Sequence, residues 1–184
     1  MAKMTTEEAF VKVLQMHGIE HAFGIIGSAF MPISDIFPDA GITGLVTPIK
    51  TAYWNHTPLL LVTPQAANKT MGQGGFQEVE QMNLFKDMVC YQEEVRDPSR
   101  MAEVLNRVIE KAIRGSAPAQ INVPRDFWTQ VIDIELPPIV RFERQGGGKE
   151  AINQAAKLLS KAKFPVILSG AGAVSYTHLR AHET

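Results

Sequence analysis

The sequence is poor in cysteine and lacks a strong charge imbalance. Cys90 is the only cysteine in 184 residues, which excludes an internal disulfide and is typical of a reducing cytoplasm. Its neighbours Met88 and Val89 are apolar, so we expect Cys90 to be a buried, inert thiol and not a nucleophile. The formal net charge is -1, and no basic stripe is interleaved with aromatic residues. This pattern argues against nucleic acid as a partner.

Long apolar runs are also missing. No run approaches the ~20 residues that span a bilayer, and the first residues lack the charged-then-apolar pattern of a signal peptide. We therefore expect a cytoplasmic protein with no membrane partner. Hydrophobic residues make up 45% and charged residues 20%, a balance typical of a soluble globular protein. The length suits one domain and part of another.

What the sequence does contain is a β-prone run followed by a glycine-rich loop. Residues 59–63 are typical of a strand buried on both faces of a parallel sheet. Pro64 is expected to end this strand, because proline has no N–H for the ladder. Residues 76–82 predict the start of a helix. The loop glycines are Gly72, Gly74 and Gly75.

The carboxyl end of such a strand is where open α/β sheets place ligands, although a plain strand-to-helix connection has the same pattern. The glycine spacing fits neither G-x-G-x-x-G nor the P-loop, so no phosphate cradle is predicted.

The N-terminal part alternates between helix and strand. Thr5 or Thr6 can cap a first helix, and Gly18 is a natural end for it. Residues 21–26 predict a strand, and residues 29–37 predict the next helix.

This alternation then breaks. Residues 39–44 form a loop that leads directly into a second helical pattern, in which Leu45, Ile49 and Ala52 recur at helical spacing. Two consecutive helices are out of place here, because a parallel crossover needs strand, helix and strand. The pattern predicts a missing unit at this point.

The second half resumes the alternation. The predicted elements are a mixed strand region at 85–94, a helix from Asp97 to Gly115, a buried strand at 119–123 and an extended segment at 131–136. The apolar stripe of this helix consists of Val104, Leu105, Val108, Ile109 and Ala112. The charged residues between them are interpreted as a solvated face.

Prolines and glycines indicate a linker at residues 137–148, so residues 1–136 are predicted to form one α/β domain. A second unit begins at residues 149–173. Its predicted elements are an amphipathic helix at 150–162 and a strand at 164–168. Gly170 and Gly172 follow, as in the first turn of a nucleotide-binding unit, and leave a dinucleotide-binding protein as an alternative.

The tail, residues 174–184, continues neither a helix nor a strand. It resembles the translation of a sequencing-adapter oligonucleotide and is predicted to be non-native. A natural exposed tail is the alternative, and a metal site formed by His178 and His182 is a weaker one.

Five segments carry a specific resemblance to a known family. They are Met4-Thr5-Thr6-Glu7-Glu8-Ala9, Phe23-Gly24-Ile25-Ile26-Gly27-Ser28-Ala29, residues 50–58, residues 72–78 and Asn122-Val123-Pro124-Arg125-Asp126-Phe127-Trp128. Through them, residues 1–173 resemble the thiamine-diphosphate-dependent enzymes of the acetolactate synthase-like superfamily.

The resemblance implies a doubly wound α/β fold with a parallel sheet for the first domain, which in this family binds the aminopyrimidine ring of the cofactor. It implies that the second unit is the first helix and strand of a Rossmann-like domain. A further domain, absent here, holds the diphosphate and Mg²⁺. Family active sites lie between subunits, so the intact enzyme is expected to be a homodimer or homotetramer acting on a small-molecule substrate.

Six residues match cofactor-facing positions of the family: Ile26, Gly27, Ser28, Gly72, Phe76 and Gln77. The family glutamate that activates the cofactor stands in a His-Glu-Gly motif, which this sequence lacks; His56 is followed by Thr57. No catalytic residue and no metal ligand is therefore predicted. Glu78 is a tempting substitute, but the family pattern places it on another element.

By resemblance, the predicted activity is a thiamine-diphosphate-dependent acetyl transfer from a sulfonated aldehyde to phosphate, releasing sulfite. The alternatives are a related enzyme of 2-keto acids and a non-catalytic α/β interaction module. The family has a strand–helix–strand unit of roughly 30 or more residues after the equivalent of Thr43. Its loss removes the glutamate, so this chain is expected to be inactive, marginally stable and prone to aggregation.

Overall fold

The computed structural model describes residues 2–22, 46–75, 78–142, 147–166, 168 and 170. The chain divides into two compact units, Met1–Ile139 and Val140–Thr184. The predicted helix at 29–37, the loop at 39–44, most of the strand at 21–26 and the tail lie outside the described residues.

The first unit opens with strand β1 (Ala2–Thr5) and helix α1 (Thr6–Met16). The Glu8 N–H donates to Thr5 Oγ1 at 3.2 Å, and the Thr5 N–H donates to the Glu8 carboxylate at 3.0 Å. This capping box satisfies two N–H groups that the start of a helix otherwise leaves unpaired. The predicted cap is confirmed, and Gly18 follows the helix with a φ of +71°.

A three-stranded parallel sheet forms the centre of this unit. Its strands are β2 (Leu60–Gln65), β3 (Tyr91–Glu94) and β4 (Ala119–Pro124), in the order β2-β4-β3. All six residues of β4 are buried, and Ile121 lies opposite Val62 on one side and Glu93 on the other. The predicted α/β class with parallel pairing is confirmed, as is the buried strand at 119–123.

Pro64 lies within β2 and does not end it, so the prediction was wrong there. The Leu59 carbonyl accepts the Ala119 N–H at 2.9 Å, so odd-numbered residues of this segment direct their backbone towards β4. Pro64 faces the opposite side, where its carbonyl accepts from the Gln81 side chain. Its missing N–H therefore costs no bond to β4. Burial alternates along β2, so only one of its faces is fully buried.

Helices cover both faces of the sheet. Helix α1 and the long helix α4 (Met101–Gly115) pack on one face, where Phe10, Leu105 and Ile121 are fully buried. Helix α2 (Val46–Trp54) packs Ile49 on the other face, against Leu61, Phe85 and Val89. The predicted apolar stripe of α4 is buried along its whole length.

Helix α4 begins and ends as the sequence predicts. The Asp97 carboxylate accepts the Ser99 N–H at 2.8 Å, and a 3-10 turn at Pro98–Arg100 leads into the helix. After Gly115 the chain leaves the helix through Ser116, whose φ is +46°.

A second, antiparallel sheet was not predicted. Strand β5 (Val131–Ile134) pairs with β1, so that Met4 lies opposite Ile132. Glu7 lies buried beside this sheet and accepts the Thr129 N–H at 2.8 Å and the Thr6 hydroxyl at 2.9 Å. Strand β1 ends at Thr5, which is also the helix cap, and it carries no apolar run, so no strand signal was visible there.

Three further predictions need correction. The helix expected at 76–82 is the short helix α3 (Gln81–Leu84), because Glu78 bonds back to the preceding loop. Only the end of the region at 85–94 is a strand. Cys90 is exposed, not buried. Its pKa is nevertheless raised by desolvation, so the thiol is not an activated nucleophile.

The second unit contains helix α5 (Lys149–Lys161), as expected from its amphipathic pattern, and every residue of this helix is exposed. The strand predicted at 164–168 is absent at residues 164–166 and 168. Phe164, Val166 and Leu168 are 92%, 91% and 97% exposed. A strand needs a pairing partner, and none is present among the described residues of this unit. In the described parts of the chain, every helix is too short or too polar to cross a membrane.

The charged face of α4 is partly an ion-pair network. Arg107 lies 2.6 Å from a Glu93 oxygen and 2.7 Å from a Glu103 oxygen, and Arg100 lies 2.9 Å from Glu103. Hydrogen bonds from Arg100 and Arg107 lower the pKa of Glu103 to about 2. The hydrogen bond from Arg107 also lowers the pKa of Glu93, against the opposing effect of burial.

This network predicts a loss of stability in acid. Both carboxylates have folded-state pKa values below their ordinary ones, so their contribution is present above about pH 4.5 and is lost as the pH falls towards 2. Because Glu103 is half exposed, we expect the pairs of Arg107 with Glu93 and Glu103 to contribute only about 1 kcal/mol. Urea unfolding of Arg107→Met across this pH range should show a smaller pH slope than the parent chain. Arg125→Met, which removes an exposed arginine, is the control; an unchanged slope in Arg107→Met would contradict the assignment.

The buried Glu7 carboxylate gives a second prediction. Replacing Glu7 with alanine leaves the Thr129 N–H without its acceptor, so we expect the free energy of unfolding to fall by about 1–3 kcal/mol. Glu20→Ala, at an exposed position, should leave it within about 0.5 kcal/mol. Equal denaturation midpoints for the two variants would show that Glu7 contributes no such bond.

Candidate cofactor-binding loop

The residues following β2 form a loop at the carboxyl end of the parallel sheet. This glycine loop, of which residues 66–75 and 78–80 are described, contains a 3-10 turn at Asn68–Thr70 and then Gly72 and Gly74. Gly72 has a φ of +83° and Gly74 a φ of +68°, conformations that side-chain-bearing residues rarely adopt. The backbone freedom expected of Gly72 is therefore used in the structure.

Glu78 closes the loop from its C-terminal side. One carboxylate oxygen accepts the Gly72 N–H at 2.7 Å, and the other accepts the Gly75 N–H at 3.2 Å. Both oxygens of Glu78 are thus engaged with backbone N–H groups. A carboxylate held in this way acts as an acceptor for the backbone of the loop.

Asp126 holds the other end of the loop. Its two carboxylate oxygens accept the N–H groups of Asn68 at 2.8 Å and Lys69 at 3.4 Å. Asp126 lies in the 3-10 turn Arg125–Phe127, directly after the central strand β4. The loop is therefore tied to the most deeply buried strand of the sheet.

Two glutamines close the base of the loop. Gln65 donates its side-chain N–H to the Val79 carbonyl at 3.0 Å and accepts the Ala66 N–H at 2.8 Å. Gln81 reaches the Pro64 carbonyl from the far end. These bonds join the end of β2 to the start of α3 across the loop.

Beneath the loop, one face of the sheet is polar and hydrogen-bonded. Gln92 donates to Gln120 at 2.7 Å, and Gln120 donates to Thr63 at 2.8 Å. Thr63 donates to Asn122 at 2.9 Å, and Asn122 donates to Glu94 at 2.7 Å. Gln120 and Asn122 are completely buried, so a satisfied network is required at this position.

Sequence reasoning missed this network. Its signal was the alternation of polar residues at positions 120 and 122 and at positions 92 and 94, which places each pair on one face of a strand. In the register of the sheet, Asn122 lies opposite both Thr63 and Glu94, which brings the three strands' polar residues together.

Of the six predicted cofactor-binding residues, only Gly72 is described. Ile26, Gly27, Ser28, Phe76 and Gln77 lie outside the described residues. Within the described ranges, no three His, Cys, Asp or Glu side chains are grouped so that they could hold a metal ion.

A groove of about 610 Å³ lies away from the loop, along α2. It includes the exposed Trp54 and Lys50, which pairs with Asp87 at 3.3 Å. We assign it no part in the candidate site, because it shares no lining residue with the glycine loop or the polar network.

The chain matches no protein-family model. It is 67% identical over 208 residues to a probable sulfoacetaldehyde acetyltransferase of Rhizobium meliloti (strain 1021), a match that covers 94% of this chain and 35% of the relative. It is 68% identical over 208 residues to a sulfoacetaldehyde acetyltransferase of Roseovarius nubinhibens, covering 94% and 34%. A probable acetolactate synthase large subunit of Methanocaldococcus jannaschii is 28% identical over 215 residues, covering 93% and 36%.

Among solved structures, a thiamine diphosphate-dependent 4-hydroxybenzoylformate decarboxylase from Rhodococcus jostii RHA1 has a similar fold. The TM-score is 0.68 at 21% identity, and the match covers 89% of this chain and 38% of the decarboxylase. At this identity the likeness concerns the fold.

The chain spans about a third of the length of these curated relatives. Since 94% of 184 residues is about 173, roughly 35 of the 208 aligned positions have no counterpart in this chain. Together with the parallel α/β sheet, these matches show that the chain is similar over 94% of its length to about a third of the length of the sulfoacetaldehyde acetyltransferases and, at lower identity, to an acetolactate synthase.

Proposed function

We propose that this chain is the pyrimidine-binding part of a thiamine-diphosphate-dependent acetyltransferase, and that the intact protein converts sulfoacetaldehyde and phosphate to acetyl phosphate and sulfite. The observation that carries the proposal is 67–68% identity to two relatives of that name over 94% of the chain. The acetolactate synthase relative is only 28% identical, which favours the acetyltransferase over a 2-keto acid enzyme.

The cofactor, when bound, supplies a carbon nucleophile that adds to a carbonyl group and stores the resulting electron pair. The described residues fit only part of this task. The glycine loop offers a fixed backbone at the carboxyl end of the sheet, which suits contact with a ring. Its Glu78 carboxylate is already engaged, and the sequence has no His-Glu-Gly motif. We therefore derive no proton transfer from this chain and propose that it is inactive alone.

The proposal includes a missing strand–helix–strand unit between Thr43 and Leu45. The roughly 35 unmatched positions support it, since such a crossover takes roughly 30 or more residues. The matched length of about 173 residues supports a non-native tail at residues 174–184. Bound Mg²⁺, a homodimer or homotetramer and a cytoplasmic location are proposed for the intact enzyme alone.

A non-catalytic interaction module is the second candidate. One observation favours it: the apolar side chains of α5 are exposed, including Ile152, Leu158 and Leu159 at 54%, 73% and 57%. Such a stripe is usually covered in a folded protein.

A chimera tests the main proposal. In the chimera, residues 46–173 of this chain would replace the corresponding part of the Rhizobium meliloti relative. The rest of the relative would supply the strand–helix–strand unit and the domains that this chain lacks. With thiamine diphosphate and Mg²⁺, we expect the chimera to form acetyl phosphate from sulfoacetaldehyde and phosphate, and the 184-residue chain to form none.

Either of two results would contradict the proposal. Turnover of sulfoacetaldehyde by the 184-residue chain would show that the glutamate is not required. A folded chimera that acts on 2-keto acids and leaves sulfoacetaldehyde untouched would favour the other enzyme class.

A further inference from the structure

We propose that Glu78 is the positioning residue of the glycine loop, and that it acts through Gly72, the described member of the candidate cofactor-binding set. The inference rests on the proposed function for the identification of this loop as part of a cofactor site. The role of Glu78 is argued from the geometry of the loop.

The first argument is the number of donors. Two backbone N–H groups, from Gly72 and Gly75, are directed at one side chain at 2.7 and 3.2 Å. A carboxylate satisfies both because it presents two acceptor oxygens. An amide presents one oxygen and one NH₂ group, so glutamine in this place would set a donor against one of the two N–H groups.

The second argument concerns what else holds this part of the loop. It is held by backbone hydrogen bonds from the Gln73 N–H to the Thr70 carbonyl at 3.2 Å and from the Glu78 N–H to the Gly75 carbonyl at 3.1 Å. Residues Met71, Gly72, Gln73 and Gly74 are exposed, so burial does not fix them. Gly72 and Gly74 adopt positive φ values, and glycine loses more conformational freedom on ordering than any other residue. A charge-assisted bond at each side of this turn offsets that cost.

The third argument is the close approach of Glu78 to Gly75. The Glu78 Oε2 atom that accepts the Gly75 N–H at 3.2 Å lies at ordinary van der Waals distance, 3.8 Å, from the point where a side chain on Gly75 would begin. Asp126 fixes the beginning of the loop in the same manner, through Asn68 and Lys69. The turn between them is thus held by carboxylates at both ends.

The chain offers a matched control two residues away. Glu80 is exposed, lies in the same loop and makes no side-chain hydrogen bond at the start of α3. Glu78→Gln and Glu80→Gln therefore remove the same charge from the same segment, but only the first removes an acceptor from the loop.

The test measures amide proton exchange by NMR in the 184-residue chain. In Glu78→Gln we expect exchange at Gly72 or Gly75 to be about tenfold faster, as for loss of one hydrogen bond to a charged group, with no change at Asn68 beyond that of any general loss of stability. Glu80→Gln should match the parent chain. Unchanged exchange in Glu78→Gln, or equal acceleration in both variants, would overturn the proposal.

A shorter carboxylate provides a second variant if Glu78→Gln does not fold. Glu78→Asp lacks one methylene and cannot span both donors, so exchange at one of the two glycines should rise while the other stays near the parent rate. Parent rates at both glycines would overturn the proposal.

The chimera described above provides a test of function. There, Glu78→Gln should raise the thiamine diphosphate concentration needed for half-maximal activity about tenfold and change kcat less, whereas Glu80→Gln should change neither. Equal effects of the two variants would overturn the link between Glu78 and the cofactor. The exchange measurement is independent of activity, so failure of the proposed function would leave it interpretable.

Discussion

The pairing of β2 and β3 with the fully buried β4 is the constraint on which the rest of the first unit depends. Every residue of β4 is buried, so its backbone groups need partners, which the two neighbouring strands supply. α1 and α4 pack on one face of this strand, and the polar side chains of Thr63, Gln120 and Asn122 occupy the other. The glycine loop and the Asp126 turn both begin where these strands end.

The strand ends and the glycine loop are held in place in different ways. The polar network joins the ends of three strands, and each of its buried side chains has a hydrogen-bond partner. The glycine loop is exposed, and carboxylates outside the strands define its shape. Glu78 and Asp126 thus serve as structural acceptors for the backbone of the loop.

Much of the fold could be predicted from local sequence, and the failures have physical causes. Capping at Thr5, the apolar stripe of α4 and the buried strand β4 follow from short-range pattern and were correct. Pro64 within β2 could not be predicted, because its tolerance depends on which side of the strand faces β4. Pairing of β1 with β5 joins residues more than a hundred positions apart, and nothing local specifies it. The family resemblance predicted a role for Gly72 at the site. The hydrogen bonds of Glu78 to the loop could be found only from the structure.

The exposed helix α5 has a thermodynamic consequence for the whole chain. A helix in which every residue is exposed removes less apolar surface from water than a packed helix does, and so contributes less to the heat capacity of unfolding. Thirteen residues are also near the lower limit for a helix stable without tertiary packing. Calorimetry of this chain should therefore record a single endotherm that belongs to the sheet-containing unit, while the helical signal of α5 declines gradually with heating and gives no peak of its own.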